Sequence, residues 1–219
     1  MDRYPLQQLP FWGRLEDRQR QMLEQSVRRM EYCSGQIVRS PGRDCLGALL
    51  IQRGAIRIYL LSQEGREATI ARMTAGEVCV LSASCMLSAI TFDVEMMAQE
   101  ETEVLVIPVQ VLSQLMQENL YVENFVYKTA AERFSDAISA VERMLFLTLE
   151  QRVVVYLLQE ADRRGEETLR LTQEQMAQAI GSAREAVTRT LKKLSDAGLV
   201  ELFRGGVRIL DRAALEERS

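Results

Sequence analysis

Apolar residues recur at two different spacings along the chain, and the switches between them mark its parts. Leu15, Leu23, Val27 and Met30 fall at helical intervals among charged neighbours, which predicts a short surface helix over 15–30. From Gly35 to Pro108 the texture changes to short β-rich runs: Gln36–Val38, Gly47–Ile51, Ala55–Leu61, Ala68–Met73, Val78–Leu81, Phe92–Met97 and Glu103–Ile107. Gly42, Gly47, Gly54, Gly65 and Gly76 punctuate them. Many short strands at this spacing predict an antiparallel β-roll or jelly roll. Helical spacing returns roughly over Leu120–Leu147, where Tyr127, Ala131, Phe134, Ile138, Val141 and Leu145 step by four and three alternately. A mean step near 3.5 is that of a coiled-coil seam, so the segment predicts a dimerisation helix; packing onto its own roll is the competing reading. A further helix is predicted over Gln151–Arg164, stopped at Gly165.

The densest pattern lies at 171–194. Thr172 followed by Gln175, and Ser182 followed by Glu185, each match the capping-box spacing, so two helices start about ten residues apart and break at Gly181. Met176 and Ile180 give the first helix an apolar edge, Ala177 permits close crossing, and Val187, Leu191 and Leu194 form the facing stripe of the second. At about 100° per residue, Glu185, Thr188, Arg189 and Lys192 project opposite that stripe, with Arg184 at its margin. Downstream, Leu199–Phe203 and Val207–Leu210 alternate around Arg204-Gly205-Gly206, a tight-hairpin signal. Helix, turn, helix and hairpin predict a winged helix-turn-helix. The fold class is therefore α+β: an N-terminal antiparallel β-roll (1–117), a long dimerisation helix (118–148) and a C-terminal winged helix-turn-helix (149–219).

Charge sharpens the expectation of a double-stranded DNA partner. Residues 168–212 hold eight bases (Arg170, Arg184, Arg189, Lys192, Lys193, Arg204, Arg208, Arg212) and five acids (Glu174, Glu185, Asp196, Glu201, Asp211). That balance of +3 leaves −7 on the remainder of a chain whose net charge is −4. A local positive field suffices to approach phosphate despite an acidic whole. The chain has no histidine, which removes histidine-based nucleophile systems, general bases and histidine-ligated haem or zinc. The carboxylates Asp93 and Glu95 have no nucleophile or metal motif beside them, so an enzyme is not expected. Apolar runs such as Val104–Val109 and Met144–Leu149 are too short to span a bilayer and the start lacks a signal-peptide pattern, so a cytoplasmic protein with no membrane partner is expected.

The order of roll, long helix and winged helix, with Arg-Glu-x-x-x-Arg at 184–189, resembles the Crp/Fnr family of bacterial transcription regulators over essentially the whole chain. Gln52-Arg53-Gly54-Ala55-Ile56-Arg57, Gln63-Glu64-Gly65-Arg66-Glu67 and Ala75-Gly76-Glu77 look like turns of the family's cyclic-nucleotide-binding-like roll. Gly181-Ser182-Ala183-Arg184-Glu185 looks like the start of its recognition helix. The resemblance implies that Arg184, Glu185 and Arg189 read a palindromic TGTGA-like site as a homodimer, and that RNA polymerase is a partner. The chemistry agrees: an arginine fork fits guanine O6 and N7, and a carboxylate accepts from cytosine N4. Glu185 also has the competing role of capping its helix. Ser182, Thr188, Lys192, Arg204 and Arg208 are candidates for the DNA backbone.

The signal is less legible and no cofactor is assigned. The family's cyclic-nucleotide branch holds the cyclic phosphate with an Arg-Ser pair, and the resemblance places Phe92 and Asp93 there, so cyclic AMP in that pose is not expected. Glu77 retains the local Gly-Glu pattern. No cysteine precedes residue 33, so the iron–sulfur arrangement of the fumarate-nitrate branch does not carry over. Cys33, Cys45, Cys79 and Cys85 read as buried inert thiols, as a redox-responsive pair, or as ligands of a soft metal; no metal site is assigned. Cys79 and Cys85 flank the segment the family uses for sensing. Phe92, Met86, Met96 and Met97 suggest an apolar effector pocket or a methionine-rich core. The alternative function is a ligand- or redox-sensing module whose winged helix mediates protein contacts.

Overall fold

The computed structural model describes residues 5–38, 46–65, 67–86 and 94–219, with the backbone alone described at 84–86. The chain divides into two compact units, one of Met1–Leu60 with Ile70–Ala137 and one of Leu61–Thr69 with Ile138–Ser219.

In the first unit, 3-10 turns at Leu6–Gln8 and Trp12–Arg14 bury Leu6, Leu9, Phe11 and Leu15. Helix α1 (Asp17–Ser26) starts at a capping box in which the Glu16 N–H donates to Gln19 Oε1 at 3.0 Å. It ends at Val27, short of the expected Met30, because the next five residues form strand β1 (Arg28–Tyr32). The Met30/Tyr32 alternation is a period of two, and pairing with β7 (Thr102–Ile107) supplies hydrogen bonds that a last helical turn would have lacked. One antiparallel sheet runs β1-β7-β2-β5, with β2 at Ala48–Arg53 and β5 at Val78–Cys79. The other runs β4-β3-β6, with β3 at Ala55–Leu61, β4 at Glu67–Thr74 and β6 at Glu95–Ala98.

Strands β2 and β7 of the first sheet are buried on both faces. Ala48, Leu50, Leu105 and Ile107 pack in one core with Leu23, Val27, Leu112, Leu115, Val122 and Val126; Leu49, Ile51, Val104 and Val106 pack in another with Ile56, Ile58, Ile70 and Met73. Residues 48–51 and 104–107 are therefore unbroken apolar runs rather than alternating ones, since neighbouring side chains leave a strand on opposite sides. Of the expected strands, Gln36–Val38 reduces to one bridge between Ile37 and Met97, and Val78–Leu81 stops at Cys79, where a 3-10 segment, Leu81–Met86, begins. The expected strand at Phe92–Met97 is seen as β6, and Phe92 and Asp93 lie outside the described residues.

Helix α2 (Val109–Glu118) precedes the 27-residue helix α3 (Leu120–Phe146). On α3, Val122 and Val126 are buried, whereas Tyr127, Ala131, Phe134, Ile138, Val141 and Leu145 are all exposed.

The second unit carries α4 (Leu149–Arg164), opened two residues before the predicted start by a Thr148–Gln151 capping box. There follow β8 (Thr168–Leu169), α5 (Gln173–Ile180), α6 (Arg184–Asp196), β9 (Val200–Phe203), β10 (Gly206–Ile209) and α7 (Arg212–Glu216). Val153, Val154 and Leu157 of α4 share a core with Met176 and Ala177 of α5 and with Val187, Leu191 and Leu194 of α6. The three short strands form a sheet ordered β8-β10-β9.

Candidate nucleic-acid interface and sensor face

Helix α5 and its end are built from local signals. At the start of α5, the Thr172 N–H donates to Gln175 Oε1 at 2.8 Å while the Gln175 N–H donates to the Thr172 hydroxyl at 3.1 Å, the reciprocal box the sequence predicts. Gly181 ends α5 at φ +66°, and a Cβ built there would come within 2.7 Å of Met144 Cε, so both conformation and space favour glycine.

The expected second capping box does not form. The Ser182 N–H donates to the Ala177 carbonyl at 2.9 Å, which ties Ser182 to the end of α5, and α6 starts one residue later with Ala183 as an N-cap that supplies no side-chain acceptor. Glu185 is consequently no capping partner of Ser182 and stands exposed in the first turn, beside Arg184. Arg189 and Lys192 are exposed on the same side, opposite the buried Val187, Leu191 and Leu194. Thr188 differs from these neighbours. It is half-buried, and its hydroxyl lies 2.6 Å from Gln173 Oε1 on α5 and 2.8 Å from the Arg184 carbonyl oxygen.

In the wing, β9 and β10 pair antiparallel from Phe203–Gly206 outward, with Arg204-Gly205 as the turn. Only glycine fits at 206, where a Cβ would stand 2.2 Å from Phe203 Cζ and 2.5 Å from the Leu169 carbonyl oxygen. Arg204 is exposed at the tip. Arg208 donates to Glu201 at 2.8 Å and to Thr168 Oγ1 at 3.3 Å. Arg212 is committed elsewhere: it donates to Asp162, to Glu167 at 3.1 Å and to Glu216 at 2.9 Å, and hydrogen bonds to these three carboxylates push its pKa further up. Its charge, counted toward the basic excess, ties α7 to the end of α4 and the loop before β8. Two positioning residues carry no sequence signal. Gln173 sits one place inside a cap, and Arg152 of α4 donates to the Ile180 carbonyl at 3.1 Å.

Of the sensor candidates, Glu77, Cys79 and Met97 have described side chains, and these three face different surroundings. Cys79 is fully buried between the two sheets, its Sγ 4.0 Å from Met96 Sδ, and burial pushes its thiol pKa up. Met97 is the neighbour of Met96 on β6 and therefore projects to the opposite face, paired with Arg57. Arg57 is itself buried, its guanidinium 4.2 Å from the centre of the Tyr59 ring. Glu77 closes a turn, its carboxylate accepting from the Thr74 N–H at 2.7 Å and the Thr74 hydroxyl at 3.1 Å. Cys33 is exposed. Phe92 and Cys45 lie outside the described residues, as do the side chains of Cys85 and Met86. No group of three or more potential metal-ligating side chains occurs among the described residues.

A double-sheeted roll, a long helix with an exposed apolar seam and a winged helix-turn-helix together define a transcription regulator in which one chain holds both a sensing and a reading module. Residues 29–119 match the family model of the cyclic nucleotide-binding domain and residues 151–218 that of the Crp-like helix-turn-helix domain. A protein of Eubacterium rectale assigned to the Crp/Fnr family of transcriptional regulators is 34% identical over 97% of this chain and 98% of its own, with a TM-score of 0.91. The chain belongs to the Crp/Fnr family of DNA-binding transcription regulators, a family of regulators rather than enzymes. The c-di-GMP responsive global regulator CLP of Xanthomonas campestris shares the fold at 22% identity, covering 89% of this chain and 99% of its own, with a TM-score of 0.72. FixK2 of Bradyrhizobium japonicum does so at 18% identity, 87% and 96% coverage, and a TM-score of 0.69. No match was found among curated proteins. No helix among the described residues is long and apolar enough to cross a membrane.

Proposed function

We propose that the protein acts as a homodimer that binds a palindromic TGTGA-like DNA site under control of a signal sensed by the roll, and that the signal is not cyclic AMP in its usual pose. The observation that carries this reading is the face of α6: Arg184, Glu185, Arg189 and Lys192 are exposed together while the opposite stripe is buried. In this reading Arg184 and Arg189 donate to guanines, Glu185 accepts from a cytosine, and Ser182, Lys192, Arg204 and Arg208 hold phosphates. The exposed seam of α3 pairs with a second copy, setting two α6 helices about 34 Å apart to meet successive major grooves. The parts are a sensor roll at 1–117, a dimerisation helix at 118–148 and a reading domain at 149–219, working in the cytoplasm beside RNA polymerase. The signal works by binding the two arrangements of the seam with different affinity.

Fluorescence anisotropy of a labelled TGTGA palindrome, with a scrambled duplex as competitor, tests the reading. Preference for the palindrome that weakens steeply as salt rises supports it. Equal binding of both duplexes refutes the site, and no binding at any salt favours a winged helix that mediates protein contacts. Repeating the titration with oxidised protein asks whether thiols belong to the signal.

A further inference from the structure

The reading turn of α6 is held in an unusual way. Arg184 and Glu185 occupy the first turn of a helix whose N-cap, Ala183, offers no side chain to its free N–H groups. Alanine at this position is worth about 1 kcal/mol less than serine or aspartate, and such a turn frays. Bidentate base reading tolerates little fraying, since donors must stay within about 0.5 Å of their productive place. Something else must order this turn.

The candidate is the contact between α5 and α6. Thr188 Oγ1 lies 2.8 Å from the Arg184 carbonyl oxygen and 2.6 Å from the side-chain amide oxygen of Gln173. A hydroxyl carries one hydrogen and serves one of these acceptors at a time. A half-turn of the Gln173 amide satisfies all three groups: its N–H donates to Thr188, and the Thr188 hydroxyl donates to the Arg184 carbonyl. The chain Gln173, Thr188, Arg184 then links the capped, ordered start of α5 to the uncapped start of α6. Gln173 is well placed as an anchor, because its own turn is closed by the Thr172–Gln175 box and its helix packs on α6 through Met176 and Ala177.

We infer that Gln173 is a positioning residue of the DNA-reading surface, acting through Thr188 to fix the first turn of α6 and with it the presentation of Arg184 and Glu185. This rests on the reading of α6 as the recognition helix. It also gives Thr188 a role different from the phosphate contact its place on the wheel suggests, because its hydroxyl is spent inside the protein.

The test uses full-length Gln173→Ala, Thr188→Val and the double variant, with two measurements. Hydrogen exchange of the Val187, Thr188 and Arg189 amides, without DNA, reads the order of the turn. The ratio of affinities for the TGTGA palindrome and for a duplex altered in its GTGA core reads discrimination. Each single variant is expected to lower both amide protection and the ratio by about two- to tenfold, the range of one net hydrogen bond. The melting temperature should fall by no more than a few degrees, the salt slope should stay unchanged, and the double variant should be no worse than either single one. Additive losses in the double variant overturn the inference. So does a Gln173→Ala protein that discriminates as the parent does, or one that binds both duplexes more weakly by the same factor with the ratio and the amide protection intact, which would make Gln173 a phosphate contact. A parent protein that does not discriminate the duplexes instead overturns the DNA-reading assignment of α6, whatever the exchange rates show.

Discussion

Phe134→Ser should separate the proposed dimer without unfolding the chain. Phe134 stands 63% exposed in the middle of the α3 seam and belongs to none of the three cores. An aromatic side chain presents roughly 200 Å², so pairing of the seam removes about 125 Å² from water per copy. At about 25 cal/mol per Å² that is about 3 kcal/mol per copy. Interfaces return less than their area because side chains must be ordered, so the expected weakening of the dimer is at least about 100-fold, or about 2.7 kcal/mol over both copies. Sedimentation velocity across a protein dilution series gives the dissociation constant directly. A circular-dichroism melt of both proteins at a concentration where both are monomeric checks that the fold survives. The reasoning is refuted if Phe134→Ser dimerises as tightly as the parent, or if the parent is a monomer at micromolar concentration.

Arg189→Ala should cost the palindrome about 10- to 100-fold in affinity and relax preference at one base position, measured by competition with single-base variants of the duplex. Thr172→Ala removes the hydroxyl that accepts from the Gln175 N–H and should lower the stability of the second unit by about 1 kcal/mol in urea titrations. Stability should also fall at alkaline pH because of Cys79. Its folded-state pKa is raised by burial, so the native form holds the thiol proton more tightly than the unfolded chain does. The stabilisation is complete below the ordinary thiol pKa and is lost as pH rises through the raised one, so denaturation midpoints should drop above about pH 9. In Cys79→Ala that part of the drop should vanish.

What the sequence makes legible is what is encoded by neighbours along the chain. The α5 start at Thr172, the break at Gly181 and the wing turn all rest on residues within one or two helical turns, and the exposed apolar spacing along α3 on steps of three and four residues, so their reading needs no tertiary information. Fold features set by distant partners leave a weaker mark on the sequence. Arg28–Tyr32 is a strand because β7 lies beside it, and α2 has a weak sequence signature because only Leu112 and Leu115 of it are fully buried. The Ser182–Glu185 spacing matches a capping box, yet the six-to-one closure that seats the Ser182 N–H on the Ala177 carbonyl after the left-handed Gly181 moves the helix start by one residue. Gln173 was invisible for a related reason, since its partner is fifteen residues away on another helix.

The cysteines show how burial decides between chemistries that composition leaves open. A redox switch needs a thiolate that is both formed and reached, and Cys79 meets neither condition in the folded roll: it is 0% exposed and its thiol pKa is raised. Oxidation at Cys79 must therefore wait for the sheets to part, which makes its rate that of local opening rather than of thiol chemistry. Cys33 is exposed and should react freely. Peptide-level mass spectrometry of native protein treated briefly with a small disulfide reagent separates the two. Cys33 should be modified within the time a model thiol takes, while Cys79 should lag by orders of magnitude and catch up only as denaturant approaches the unfolding midpoint. Labelling of Cys79 at the rate of Cys33 in native buffer would refute this and return the thiol between the sheets to the list of sensors. Slow labelling directs the search for the signal to a ligand that the roll can admit without losing its core.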